Sequence, residues 1–210
     1  MTAPLTVAFP KGRLADPLGR LLARPPLEIS PFTGRGLVVD VAEKGIRFLL
    51  LKDFDVPTYV RRGAAELGIA GSDVLAETEC DLPRPLEFPF GRCRFSLLAP
   101  ASASAFFPEG RAVRVATKYV RLTREHFDQK GMAADIVPLA GSVEIAPRMK
   151  LADLVADLVD TGETMRANGL VEVETIRDVS PHLIVSRAAL ARRRREVFGL
   201  LEVLEGMLAS

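Results

Sequence analysis

Tryptophan is absent from this chain, and histidine, cysteine and tyrosine occur only twice each. Two histidines, His126 and His182, leave little room for a Ser-His-Asp triad or a histidine-rich metal site. The two cysteines, Cys80 and Cys93, form no CxxC or metal-type cluster. The opening MTAPLTVAFPKGRL is too interrupted for a secretory signal, so the expectation is free thiols in a reducing cytoplasm. Net charge is nearly absent too: 28 Lys and Arg against 27 Asp and Glu give +1. A surface that binds nucleic acid over any length needs a basic excess, which argues against that partner. No run approaches the roughly 18 unbroken apolar residues of a membrane span. GxGxxG, GxxxxGK[ST] and GxSxG are all missing, which removes the common dinucleotide, P-loop and nucleophile-elbow signatures.

What is present is an ordinary globular mixture of 48% apolar and 26% charged residues over 210 positions. That length supports one large domain or two small ones. Short β-type runs alternate with helical stretches, which points to an α/β fold with parallel strands. LTVAFP (5–10) reads as a strand closed by Pro10, and KGRLADPLGRLLA (11–23) opens a helix. The run around 37–51 reads as a hairpin about Glu43-Lys44-Gly45. DVPTYVRRGAAEL (55–67) is helical, LGIAG (67–71) is a buried strand, and SDVLAET (72–78) starts another helix. The proline-rich ECDLPRPLEFPFGR (79–92) fits a crossing linker. RFSLLAP and RVATK are strands, a helix follows to about Gly131, and DIVPLAG is a strand again. LADLVADLV (151–159) reads as a buried strand and TGETMRANGL (161–170) as a helix closed by Gly169. VEVETIRDVSPHLIVS (171–186) reads as one long β segment, and residues 187–208 as one amphipathic helix.

GAAELGIAGSDVL (63–75) and KLADLVADLVDTGETM (150–165) share one plan: an apolar strand, a glycine turn with hydroxyl and acid, then a helix start. Two such halves joined by a proline-rich crossing imply two α/β domains around a cleft. The expected division is 1–88 with 184–210, and 89–183.

Four strand ends carry candidate chemistry. In Asp160-Thr161-Gly162-Glu163-Thr164, a glycine turn before a helix start offers free amides, two hydroxyls and a close backbone approach for phosphate. Asp157 and Asp160 would repel a bare phosphate and suit ribose hydroxyls or a phosphate-bound Mg2+. The competing reading is a capped helix, with Thr161 or Asp160 as cap and Thr164 at the capping-box position. In FPKGRL, Lys11 and Arg13 stand at a helix start, where cations oppose the dipole; they either grip an anion or are merely solvated. In GSVE (141–144), the amides after Gly141 lie near Glu144, or Ser142 simply caps a helix. In ATKY (116–119), Tyr119 either stacks on a base or packs in the core. The run Arg192–Arg195 reads as the solvated side of a helix, and His182 as a structural histidine.

Taken in order, FPKGRL, DVPTYVRRGAAELGIAGSDVL, RVATKY, GSVEIAP, LADLVADLVDTGETMRANGL and VSPHLIVS resemble the ATP phosphoribosyltransferase family, from about residue 5 to 186. The chain is similar to the short form, which lacks a C-terminal regulatory domain. The resemblance implies two domains like those of type II periplasmic binding proteins. It implies transfer of the phosphoribosyl group of phosphoribosyl pyrophosphate to N1 of ATP, with Mg2+, in histidine biosynthesis. It further implies a regulatory subunit similar to histidyl-tRNA synthetase, a hetero-octamer, and a homodimer of this chain. Asp160, Thr161, Gly162, Glu163 and Thr164 would hold the 5-phosphate, with Asp157 and Glu144 facing the ribose. Lys11, Arg13, Leu14 and Tyr119 would line the nucleotide side, and Arg35 would reach the pyrophosphate of a neighbouring subunit. Lys11, Arg13, Arg35 and Glu144 form the expected catalytic set; the metal ligands stay open. The chain departs from the family pattern at Gly36, Lys150 and Val120-Arg121, and Lys52 could replace the cation missing at 36. A non-catalytic two-domain protein that binds a small anion is the alternative.

Overall fold

The structure, a computed structural model, describes residues 3–29, 36–103, 107 and 111–209. The chain forms two compact units, Met1–Gly91 with Ser180–Ser210, and Arg92–Val179. The first unit keeps the segment after residue 88 through Gly91, whose carbonyl accepts from Arg13 Nη1 and where a Cβ would meet Leu14 Cδ2 at 2.8 Å and Pro181 Cγ at 3.3 Å.

The first unit begins with β1 (Leu5–Pro10), α1 (Ala15–Leu22), β2 (Val38–Val41), β3 (Ile46–Leu51), α2 (Val56–Arg61), β4 (Leu67–Gly71), α3 (Ser72–Glu77) and β5 (Leu86–Glu87). The second contains β6 (Cys93–Pro100), β7 (Val113–Thr117), α4 (Val120–Gln129), β8 (Ala134–Pro138), β9 (Leu154–Val159), α5 (Glu163–Ala167) and β10 (Leu170–Val179). The chain then returns to the first unit with β11 (Pro181–Val185), α6 (Arg187–Arg192) and α7 (Arg194–Ala209).

The first sheet has the order β2-β3-β1-β4-β11-β5 and the second β10-β6-β9-β7-β8. Both are mixed rather than purely parallel. β1 runs parallel to β3 and β4, whereas β11 is antiparallel to β4. β9 runs parallel to β7 and antiparallel to β6. The two stretches that echo each other in sequence thus occupy equivalent places. β4 and β9 each lie between one parallel and one antiparallel neighbour, and each ends at a glycine turn and a short helix.

Burial explains the composition of β4, in which all five residues are buried. A strand covered on both faces reads as a continuous apolar run. Gly68 is required there by close approach: a Cβ would meet Val60 Cγ2 at 2.7 Å and Val56 Cγ1 at 2.8 Å, so its absence lets α2 sit on the sheet. In the second unit, Phe95 of β6 and Tyr119 pack edge to face at 5.0 Å.

Two long segments expected to be continuous are broken. The stretch 171–186 splits at Ser180, because β10 pairs with β6 while β11 pairs with β4 in the other sheet. Ser72 secures the change: its N–H donates to the Ser180 carbonyl, and its Oγ accepts from the Ser180 N–H at 3.1 Å. The C-terminal helix breaks at Arg193, whose guanidinium donates to the carbonyls of Ala3 and Pro4 and to Glu66 and Glu196. Arg192, Arg194 and Arg195 are exposed, as a solvated helix face predicts. Arg193 is half-buried and instead clamps the N-terminal strand.

On β10, whose register shifts after Glu172, that carboxylate accepts from Arg94 Nη2 at 2.9 Å, Ser96 Oγ at 2.7 Å and Thr175 Oγ1 at 3.0 Å. The Arg94 guanidinium, chief among these donors, brings the Glu172 pKa from 4.5 down to about 2. A carboxyl depressed on folding contributes stability above its unfolded pKa, and this is lost as pH falls through the folded one. Glu172→Gln should therefore lower stability by about 1–2 kcal/mol near neutrality. In urea titrations the gap from the parent should close between about pH 5 and pH 2. A gap that does not change with pH would refute this account.

Candidate active site

The centre of the second unit is the end of β9. This strand carries Asp157 half-buried, in register with Ser96 of β6, and then delivers Asp160–Thr164. Gly162 takes φ +75° and is the N-cap residue of α5. That left-handed backbone favours glycine, so the loop can turn where a side chain would be strained. α5 covers only Glu163–Ala167, shorter than the 161–170 expected, because Asn168 leaves helical geometry and Gly169 takes φ +70°.

Capping accounts for little of this loop. No side chain caps the helix at Gly162. Thr161 Oγ1 lies 3.4 Å from the Glu163 N–H, at the long limit of a hydrogen bond. Ser142 likewise makes no side-chain cap at the 3-10 turn Val143–Ile145, and it adopts φ +51°. That turn follows β8, the parallel neighbour of β7, and brings Glu144 to the same place. Glu144, Asp157 and all of Asp160–Thr164 line one cavity of about 120 Å³, with Leu98 and Met165 as apolar wall.

The entry to β9 is fixed from the opposite end. Asp153 accepts from Arg111 Nη1 at 2.7 Å and Arg114 Nη2 at 3.0 Å, and the Arg111 hydrogen bond leads in holding its carboxyl far below the usual carboxylate range. The two histidines lie elsewhere. His182 Nε2 lies 3.2 Å from Ser180 Oγ, and His126 Nε2 lies 3.5 Å from Glu174. Burial lowers the pKa of both.

In the first unit, the carboxyl ends of the parallel strands β1 and β3 gather cations. Pro10 is in register with Leu51, and Lys11 N–H donates to the Leu51 carbonyl at 2.8 Å. Lys11 and Lys52 are therefore neighbours at the carboxyl ends of these two adjacent strands, and both are exposed. Gly12 takes φ +88°, and α1 starts only at Ala15 with Leu14 as N-cap, so Lys11 and Arg13 lie in the loop that enters the helix rather than in its first turn. Arg13 Nη1 donates to the Gly91 carbonyl, which ties this loop to the last residue of the segment.

Two expected contacts are not made by side chains here. Leu14 is 5% exposed and belongs to the first unit's core. Tyr119 is fully buried against Phe95, so packing, not base stacking, occupies its ring. Arg35 lies outside the described residues. One residue was missed in the sequence: Asp73, 2% exposed in the first turn of α3. Its Oδ1 would lie 2.0 Å from a Cβ at Gly71, so glycine is needed for the carboxylate to fold back over the turn. The signal was the shared plan itself, since Asp73 follows the glycine turn of β4 as Glu163 follows that of β9.

The second-unit site offers amides and hydroxyls to an anion and carboxylates to hydroxyls or a cation. Among the described residues no group of three or more His, Cys, Asp or Glu is placed to hold a metal ion by itself. Mg2+ generally keeps several waters and binds through one or two carboxylates together with a ligand's phosphates, and the carboxylates present here suit that mode. No helix among the described residues is long and apolar enough to cross a membrane.

Residues 52–206 match the family model described as ATP phosphoribosyltransferase. A protein named ATP phosphoribosyltransferase from Anaeromyxobacter sp. (strain K) is 45% identical over 210 residues, covering 98% of this chain and 94% of that protein. One from Burkholderia cenocepacia is 43% identical, covering 98% and 97%. Among solved structures, a chain of the ATP phosphoribosyl transferase (HisG:HisZ) complex from Thermotoga maritima superposes with TM-score 0.84 at 32% identity, over 98% of both chains. The periplasmic aliphatic sulphonate binding protein SsuA of Escherichia coli superposes with TM-score 0.60 at 14% identity, over 100% of this chain and 70% of its own, a likeness of fold alone. With matching residues across both units, the chain belongs to the ATP phosphoribosyltransferase family.

Proposed function

We propose that the chain transfers the phosphoribosyl group of phosphoribosyl pyrophosphate to N1 of ATP, releasing pyrophosphate, as the first step of histidine biosynthesis. The observation that carries the site assignment is the shared cavity of Glu144, Asp157 and Asp160–Thr164, in which capping does not consume the loop's polar groups. Gly162, Thr161 and Thr164 receive the 5-phosphate through amides and hydroxyls, with Asp160 and Glu163 at the loop's edge. Asp157 and Glu144 face the ribose hydroxyls. Lys11 serves the nucleotide and Lys52 and Arg35 the pyrophosphate, while Arg13 holds the KGRL loop through Gly91. Leu14 and Tyr119 shape this machinery from the core.

The chemistry suits a chain without a triad. Adenine N1 already bears a lone pair, so the N1–C1 bond forms without prior deprotonation while the bond from C1 to the pyrophosphate oxygen breaks. Positive charge grows on the ribose ring, where the carboxylates of Asp157 and Glu144 stabilise it, and the cations stabilise the departing pyrophosphate. Mg2+, when bound to the pyrophosphate, supplies further charge neutralisation, and Asp157 or Asp160 would complete its oxygen shell. The setting is cytoplasmic. The working form includes a regulatory subunit similar to histidyl-tRNA synthetase, in a hetero-octamer built from homodimers of this chain. The naming of the Thermotoga maritima structure as a HisG:HisZ complex supports that pairing. The alternative, a non-catalytic anion-binding protein, has only the fold likeness to SsuA in its favour.

Supplied with ATP, phosphoribosyl pyrophosphate, Mg2+ and the regulatory subunit, the chain should release pyrophosphate; a rate equal to the no-enzyme control would overturn the proposal. Asp157→Asn and Thr164→Ala should each lower kcat/KM for phosphoribosyl pyrophosphate by about 10- to 100-fold. Their melting midpoints should stay within about 3 °C of the parent. Wild-type kinetics in both variants would remove the site assignment.

A further inference from the structure

The cavity at the end of β9 has an electrostatic problem. Its charged lining residues are Glu144, Asp157, Asp160 and Glu163, all carboxylates. Phosphate esters arrive with nearly two negative charges. Amide and hydroxyl dipoles orient such a group, but they do not offset four nearby carboxylates.

One cation, Arg166 of α5, stands against this loop just outside the cavity lining. The Arg166 N–H donates to the Gly162 carbonyl at 3.0 Å, which fixes Arg166 one helical turn beyond the glycine. Its side chain folds back: Nη2 donates to the Thr161 carbonyl at 3.0 Å. Nη1 and Cζ stand 2.8 and 3.6 Å from where a Gly162 Cβ would be. The guanidinium thus lies against the left-handed glycine of the phosphate loop. A guanidinium carries five N–H donors in a planar fork matched to phosphate oxygens, and the Thr161 carbonyl takes only part of that capacity.

We infer that Arg166 is a substrate-binding residue, which turns its fork from the Thr161 carbonyl toward the 5-phosphate and supplies the positive charge that the cavity lining lacks. This rests on the reading of Asp160–Thr164 as the 5-phosphate loop. It also gives Gly162 a second reason to be glycine, since a side chain there would push the guanidinium off the loop.

The test uses the full chain with its regulatory subunit. Arg166→Ala and Arg166→Met should raise KM for phosphoribosyl pyrophosphate at least about tenfold, as expected for loss of a charge-assisted hydrogen bond, and leave KM for ATP within about twofold. Arg166→Lys should recover part of the loss, and added guanidinium ion should rescue Arg166→Ala where equal sodium chloride does not. By calorimetry, ribose 5-phosphate should bind the parent more tightly than Arg166→Ala does. If Arg166→Ala keeps parental KM while Thr164→Ala raises it, the role of Arg166 is wrong and the loop reading stands. If neither variant changes KM, the loop reading falls and this inference with it. Equal loss in Ala and Lys variants, a raised KM for ATP and no guanidinium rescue would make Arg166 a support of loop folding alone and overturn the inference.

Discussion

The pairing of β9 between β6 and β7 is the constraint on which the second unit depends. Parallel pairing to β7 sets the direction in which β9 ends, and antiparallel pairing to β6 sets its register. Because side chains alternate along a strand, a slip of one residue would turn Asp157 to the other face. It would also carry Asp160–Thr164 away from Glu144. The clamp of Arg111 and Arg114 on Asp153 holds the strand's entry, so its exit is fixed as well. The cavity with its mixed amide, hydroxyl and carboxylate lining follows from that register.

The same arrangement recurs at β4 in the first unit. Each strand is flanked by one parallel and one antiparallel neighbour and followed by a glycine turn, with β4 wholly and β9 mostly buried. Each unit also concentrates its polar chemistry at the carboxyl ends of its parallel strands, where backbone groups are no longer used by the ladder. The two ends differ in sign. Lys11 and Lys52 adjoin at β1 and β3, whereas carboxylates dominate the end of β9.

Much of this was legible in the residues. Alternating β runs and helices gave the fold class, and the family motifs in their order carried the activity. DTGET stood out as a candidate because hydroxyls and acids around a glycine exceed what a turn requires. Other features were not visible. The stretch 171–186 carries an unbroken β pattern, and only its partners show that it serves two sheets, with Ser72 taking both backbone groups of Ser180. Tyr119 has the same local sequence whether it stacks on a base or packs on Phe95. Arg193 sits among four consecutive arginines, and no local signal distinguishes the one that clamps the N-terminus. Asp73 and Arg166 act by folding back on a neighbouring turn, which side-chain type alone does not reveal.

The sequence by itself determined the α/β class, the hairpin about Gly45, the punctuating glycines and the membership of a family. These depend on local backbone preference and on residue order. Tertiary structure alone decided which polar groups are drawn to protein partners and which line the cavity. The hydroxyls of Thr161 and Thr164 stay at the cavity, Arg13 is drawn to Gly91, and Tyr119 is sealed in the core. A polar or aromatic side chain is indifferent between a ligand and a protein neighbour until folding sets the distances, and partners far apart in sequence set those distances.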